Sequence, residues 1–339
     1  MRALGPSEER RWDAFVEAHP EGTIFHSARW TNAIHRAFGH GTTIFVAERD
    51  AEIVGGVPLT HVRSLLFDHA LVSNGFAVEG GILAADDRAR LALDAAAVDL
   101  GRRLGVDFVE YRHESPLRTD RPCRDDLYAT FRKPIEADDE TNLKRIPRKQ
   151  RAMVRKGINN GLASHLDDDV ETLYDLYARS VRNLGTPVFT KRLFRELKQA
   201  FGSACQVLIV TSDGTPVAGV MSFADGDVIR PYYGGGTAAA RGLAANDFMY
   251  WEVMRRARLE GCRTFDFGRS KVASGAYHFK KNWGFTPVPL RYEYALLKGD
   301  TLPETNPTNP KYRTAIALWK RLPISVTKWI GPPIARGLP

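Results

Sequence analysis

The chain has 339 residues, of which 43% are hydrophobic and 26% charged, and it carries a net charge of +8. Those proportions fit a globular protein long enough for two domains and exclude a disordered or fibrous chain. No run of roughly 18 apolar residues argues for a membrane-spanning helix. Met1 to Trp12 is polar and lacks the apolar core of a signal peptide, and Cys123, Cys205 and Cys262 are too far apart for a metal or redox pattern. The expectation is a cytoplasmic protein with reduced thiols and no metal site.

In chain order, Ser27 to Phe38 reads as a helix closed by Gly39. A hairpin follows, Ile44 to Val57, turning at Asp50-Ala51, and then a third strand over Leu71 to Leu83. Leu91 to Leu104 is an Ala-rich helix that leads into a strand from Gly105 to Tyr111. The same order then recurs. A helix spans Thr190 to Phe201, and a hairpin from Val207 to Val220 turns at Asp213-Gly214. A third strand over Val228 to Gly235 precedes a helix from Phe248 to Glu260 and a strand from Gly261 to Phe267. IFVAERDAEIVGGV aligns without gaps on VLIVTSDGTPVAGV, so the halves are read as a duplication in which Glu110 and Asp266 are equivalent. Hairpins joined to one helix-connected strand imply a mixed sheet in each half.

The positive charge is concentrated in two places. Lys144, Arg145, Arg148, Lys149, Arg151, Arg155 and Lys156 form an acid-free run between the halves, read as one basic helix starting near Ile146, with Pro147 in its first turn and Gly161 as C-cap. The segment 311–339 also lacks acids and mixes Lys320, Arg321 and Lys328 with Leu318, Trp319, Val326 and Trp329. The rest of the chain is mildly acidic. Localised charge of this kind suggests anionic partners. For 144–156 these are tRNA or another phosphate-bearing ligand, weighed against a merely solvated face. For 311–339 the choice lies between a membrane surface and packing on its own domain. The organisation is a first domain at 1–137, a basic linking helix at 138–165, a second domain at 166–299, and a Pro-rich linker with a basic tail at 300–339.

Phe265-Asp266-Phe267-Gly268-Arg269-Ser270-Lys271 followed by Gly275 to Phe285 reads as a short strand, a charged loop and a helix. That block, together with the duplication, resembles the FemAB-like acyltransferases of the GNAT superfamily, with particular similarity to those associated with exosortase/PEP-CTERM systems. The resemblance covers about residues 10 to 298. It implies tandem GNAT-like (acyl-CoA N-acyltransferase-like) domains of the α/β class with mixed α+β sheets. It also implies transfer of an activated acyl or aminoacyl group to an amine of a cell-envelope, peptidoglycan or exopolysaccharide precursor. The donor is then a co-substrate, aminoacyl-tRNA or acyl-CoA, and not a bound cofactor.

Acyl transfer of this type depends on attack geometry, a proton acceptor and oxyanion stabilisation, without a Ser–His–Asp arrangement. By resemblance Lys280, in the family's Phe-Lys-x-x-Phe/Trp-Gly element, is a transfer-site lysine, although Lys280 and Lys281 also read as exposed helix charges. Asp266 is read either as a proton acceptor or as a buried partner of Arg269, and Tyr277 either as a donor to a carbonyl or as packing. Arg269 and Lys271 are candidate anion ligands, Tyr232 and Tyr233 before three glycines a candidate acyl-group frame, and Arg182 and Asn183 a polar patch near substrate. Arg241-Gly242-Leu243-Ala244-Ala245-Asn246 stands where a CoA-binding domain carries Q/R-x-x-G-x-G/A. Ala244 and Asn246 depart from that pattern, and Asn246 is expected to cap the next helix. Two alternatives remain open: an acetyl-CoA-dependent acetyltransferase, and a non-catalytic scaffold at the inner membrane face.

Overall fold

The computed structural model describes residues 1–64, 68–114, 118, 120–303 and 313–338. The chain divides into two compact units, one comprising Met1–Asp126, Leu290–Thr308 and Pro333–Pro339, the other Leu127–Pro289 and Asn309–Pro332. Most of the expected linker at 301–310 lies outside the described residues, as does Lys311.

In the first unit, β1 (Arg2–Ala3), β2 (Gly41–Arg49), β3 (Glu52–Arg63), β4 (His69–Ser73) and β6 (Phe108–His113) are successive neighbours in one sheet, with β5 (Leu83–Ala84) pairing on β3. All pairs are antiparallel except β4 with β6. Helices α1 (Glu9–Ala18), α2 (Ala28–Phe38) and α3 (Asp87–Leu104) pack on this sheet. Ser27 caps α2, accepting from the Trp30 amide. Gly39 and Gly105 end α2 and α3 in the left-handed conformation that glycine adopts without strain. The expected strand over Leu71 to Leu83 stops at Ser73, because the following segment, from Asn74 to Ile82, is tied down by side chains and not by a ladder.

Further along, β7 (Cys123–Arg124) edges the first sheet, and β8 (Tyr128–Pro134) opens the second unit. There α4 (Asp139–Arg145) and α5 (Arg148–Asn159) replace the single basic helix expected from the sequence. Pro147 forces Ile146 into an extended conformation and breaks the helix at that point. Gly161 follows α5 with φ of 70°, as a C-cap glycine should. Next come β9 (Ala163–Asp167), α6 (Glu171–Leu184), α7 (Lys191–Phe201), β10 (Cys205–Ser212), β11 (Thr215–Asp225) and β12 (Val228–Gly236). They lead into α8 (Ala240–Leu243), α9 (Ala245–Leu259), β13 (Thr264–Asp266), β14 (Ser270–Lys271), α10 (Gly275–Asn282) and β15 (Pro287–Pro289).

The duplication is visible in backbone detail. Both hairpin turns hold two residues at positive φ, Asp50 and Ala51 in one and Asp213 and Gly214 in the other, the twist a two-residue hairpin turn prefers. Both hairpins also carry a bulge at the aligned position, Ala47/Glu48 and Val210/Thr211.

The domain limits differ from those read in the sequence, since the two units exchange a strand. The sixth position of the first sheet is filled by β16 (Arg291–Leu296), antiparallel to β6. The equivalent position of the second sheet is filled by β8, antiparallel to β13. Thus β8, which comes after β6 and the short β7 in sequence, belongs to the second unit, and β16, which follows β15, belongs to the first. Alternation of apolar residues marks both segments as strands but carries no information about which sheet receives them.

Candidate active site

The second sheet is open where the first is closed. In the first unit β4 and β6 stay paired from Ala70↔Phe108 to Ser73↔Tyr111. Beyond those ends the chain fills its own crevice. The Asn74 side chain bonds Thr31, Thr60 and the Phe25 carbonyl, and Phe76 stacks on Phe38 at 4.2 Å. The buried Arg112 guanidinium donates to the carbonyls of Asn74 and Ala77. In the second unit β12 pairs with β13 only at Val228↔Thr264 and Ile229↔Phe265, yet it continues to Gly236. From Arg230 onward, one edge of β12 has no strand partner among the described residues. This is the carboxyl end of a parallel pair, where open α/β sheets place ligands.

Charged groups close the base of that opening. Asp266 is buried, with its carboxylate 3.0 Å from Arg132 Nε and 3.5 Å from Arg230 Nε, and its other oxygen accepts from the Gly268 amide at 2.8 Å. Arg230 also reaches Asp225 at 2.8 Å. Two partners of Asp266 thus come from β8 and β12, beside the Arg269 partnership expected from the sequence. Two guanidinium groups and an amide fix the orientation of this carboxylate. Sequence reading missed Arg132 since it lies in the exchanged strand. Arg230 had a local signal: Asp225 and Arg230 flank the Gly226-Asp227 turn.

Lys280 is not the exposed helix charge that was one of its two readings. It is 8% exposed, and its ammonium donates to the carbonyls of Phe267, Gly268 and Arg269 at 2.6, 2.9 and 3.1 Å. Three acceptors use all three protons of an ammonium. The Phe131 and Phe267 rings lie 5.4 and 5.7 Å from it. Burial pushes its pKa down to about 7, opposed by the nearby Asp266 carboxylate. Lys280 is a clamp on the loop after β13, and through that loop it sets the position of Arg269.

The Arg269 guanidinium stacks over Tyr128 at 4.7 Å, and Lys271 lies half-buried on β14, which pairs with β8. Tyr277 packs edge-on against Phe131 at 5.4 Å, with Lys281 Nζ 5.7 Å from its ring, which is the packing alternative. Tyr233 is buried among Tyr177, Phe189 and Phe194, and burial raises its phenol far above the ordinary value. Tyr232 is half-buried at 4.8 Å from Tyr233, on the open strand. A Cβ on Gly235 would meet the Tyr177 backbone at 2.6 Å, so this glycine is required by the approach of α6. Arg182 donates to the Lys320 carbonyl at 2.9 Å and Asn183 is exposed beside it, so the structure ties this pair to the C-terminal segment.

Residues 143–281, most of the second unit, match the family model described as an acetyltransferase (GNAT) domain. Over those residues the second unit is similar to a GNAT domain. Solved structures extend the likeness to most of the chain. The structure of FemX is 16% identical with a TM-score of 0.65, covering 87% of this chain and 98% of that one. The C-terminal domain of a putative lysylphosphatidylglycerol synthetase from Agrobacterium fabrum is 12% identical with a TM-score of 0.58, covering 85% and 91%. A tandem GNAT protein from the clavulanic acid biosynthesis pathway is 12% identical with a TM-score of 0.51, covering 80% and 95%. No curated protein matches the sequence. The fold is a tandem of GNAT-like domains with mixed sheets.

The segment before the long helix α9 stands where the sequence comparison places the CoA-binding motif Q/R-x-x-G-x-G/A. Ala244 occupies the position of the first motif glycine and adopts its left-handed φ of 59°. It also stands at the N-cap of α9, without a side-chain cap, so Asn246 is in the first turn and not the cap expected from the sequence. One residue further on, Asp247 places a buried carboxylate in the same turn. Its Oδ1 accepts from Gln150 Nε2 at 2.7 Å and from Trp283 Nε1 at 2.8 Å. Desolvation raises the Asp247 pKa, so its contribution to stability is largest below the ordinary carboxylate range and falls as pH rises through the folded-state value. Asp247→Asn keeps an acceptor for both donors and removes the charge. The variant is expected to be about 1 kcal/mol more stable at pH 7, with the gain vanishing below about pH 4. Thermal melts at the two pH values check this, and equal melting temperatures at pH 7 would contradict it.

Gln150 joins this turn to α5, which packs on α9 through Val154 and Gly157, the latter against Phe248. The outer face of α5 forms a hollow lined by Arg148, Arg151, Ala152, Arg155, Lys156 and Asn159. Lys144 and Arg145 are neutralised by Glu140 and Glu136, each at 2.6 Å. Arg148, Lys149, Arg155 and Lys156 are exposed and have no carboxylate partner among the described residues. Among those residues there is also no group of three or more His, Cys, Asp or Glu able to hold a metal ion.

Proposed function

We propose that the chain is a FemAB-like N-acyltransferase that moves an aminoacyl group onto an amine of a cell-envelope or exopolysaccharide precursor at the inner face of the membrane. The observation that carries this reading is the end of the β12–β13 ladder at Ile229 while β12 runs on through Tyr232 to the three glycines, with no strand beside that edge among the described residues. An activated carbonyl laid along that edge meets backbone N–H groups that can receive the developing oxyanion. The acceptor amine attacks the carbonyl carbon and the C–N bond forms. The ester bond to the donor then breaks, and the amine proton leaves with the departing oxygen or to water. Most of the acceleration comes from holding the two substrates in attack geometry.

Two features favour aminoacyl-tRNA over acyl-CoA as donor. A buried carboxylate at Asp247 opposes a pyrophosphate at the start of α9, where the helix terminus would otherwise attract it. The unpaired cations of α5, which packs on α9, suit an extended phosphate backbone. The acceptor class rests on the resemblance to FemAB-like proteins. Equilibrium binding of acetyl-CoA and of a non-hydrolysable aminoacyl-tRNA tests the donor: the tRNA is expected to bind with strong salt dependence and acetyl-CoA weakly. Saturable micromolar binding of acetyl-CoA would reject the aminoacyl donor, and failure to transfer from either donor to any amine would reject the enzyme.

A further inference from the structure

The C-terminal segment has two unlike faces. In its described part, α11 (Arg313–Trp319) and α12 (Ile324–Ala335) follow one another with a short turn between them. One face is fixed to the second unit. A Cβ on Gly185 would meet Ile316 Cγ2 at 2.5 Å, and one on Gly331 would meet Val188 Cγ1 at 2.8 Å. Lys328 pairs with Asp175, and Arg182 holds the Lys320 carbonyl. Thr327 and Gly331, one turn apart, are buried.

The other face is apolar and cationic. Trp329 is 79% exposed, Leu318 63% and Val326 36%. Val326 and Trp329 lie three residues apart and so share a face of α12. Arg321, in the turn between the helices, and Lys320, whose stem passes beside Gly185 at the margin of the docked face, are exposed without a carboxylate partner among the described residues, and 311–339 contains no acid. The packing expected for this tail and its exposure of apolar groups therefore coexist.

We propose that this face seats the protein on an anionic lipid bilayer. A tryptophan with its indole in the headgroup layer, apolar neighbours below it and lysine and arginine at the phosphates is the arrangement that interfacial elements use. Three apolar side chains are too few for a stable protein–protein interface, which needs about 800 Å² per partner. A second copy would bring cations against cations. The face binds lipid whether or not the β12 edge transfers acyl groups, so the two readings stand or fall separately.

The test is co-sedimentation of the full chain with phosphatidylcholine vesicles containing about one-third phosphatidylglycerol, against phosphatidylcholine alone. Wild type is expected to bind only the anionic vesicles. Leu318→Ser with Trp329→Ser, and separately Lys320→Glu with Arg321→Glu, should each weaken binding at least about tenfold. Bromine-labelled lipids should quench a tryptophan component of wild type that Trp329→Ser lacks. The proposal is overturned if wild type does not bind anionic vesicles. It is also overturned if both tail variants bind normally while Arg148→Glu with Arg155→Glu does not, since α5 would then be the lipid site. Concentration-dependent self-association abolished by Trp329→Ser would make a second copy the occupant and overturn it too.

Discussion

Lys280→Met is expected to cost about 2–4 kcal/mol of stability and to lower the rate of acyl transfer at least about a hundredfold. The side chain fits, so the effect comes from chemistry. The carbonyls of Phe267, Gly268 and Arg269 lose their shared donor inside the protein, while removal of a buried ammonium recovers part of that loss. The loop then no longer fixes Arg269 over Tyr128, and a displacement of about an ångström at a substrate-positioning group is enough for a hundredfold effect. Urea melts give the stability change. Amide exchange at Phe267–Arg269, measured without substrate, separates a clamp from a group that acts on substrate directly. A clamp predicts faster exchange in the variant. Unchanged exchange with a collapsed rate would mean that the ammonium leaves its carbonyls and reaches the reacting group.

Arg148→Glu combined with Arg155→Glu should weaken binding of a phosphate-rich donor about 30- to 100-fold and reduce the slope of log affinity against log salt by about two. Both side chains are exposed, so fold stability should change by less than about 0.5 kcal/mol each. The salt slope is the decisive readout. A lost contact that did not involve phosphate would lower affinity but leave the slope intact.

Much of the fold is legible in the sequence because it is local. Helix caps at Ser27 and Thr190, positive-φ turns at Asp50-Ala51 and Asp213-Gly214, and the strand over Val228 to Gly235 all rest on short-range preferences that the tertiary structure respects. Sequence and structure part where distant residues decide. Ile146–Pro147 ends one helix before another begins, and Leu71 to Leu83 reads as one strand because its apolar pattern matches a buried strand and a packed loop equally well. The candidate site is legible as a location but not as a set of roles. Nothing in Phe279-Lys280-Lys281 tells a reader which lysine turns inward. Asp266 and Arg269 are three residues apart, but β13 also directs Asp266 to Arg132 and Arg230, which are remote in sequence.

The exchange of β8 and β16 bears on how the protein comes to be made. On a ribosome the residues of the first sheet appear early, except for Arg291–Leu296, which follows after nearly all of the second unit. Until then β6 has an exposed edge, a template for pairing with the wrong strand. Meanwhile β8 waits for partners that begin at Thr264. Neither half can finish on its own schedule. The nascent chain must hold two incomplete sheets until most of it has emerged, so cutting the gene between the repeats would yield two fragments, each lacking the strand that the other retains.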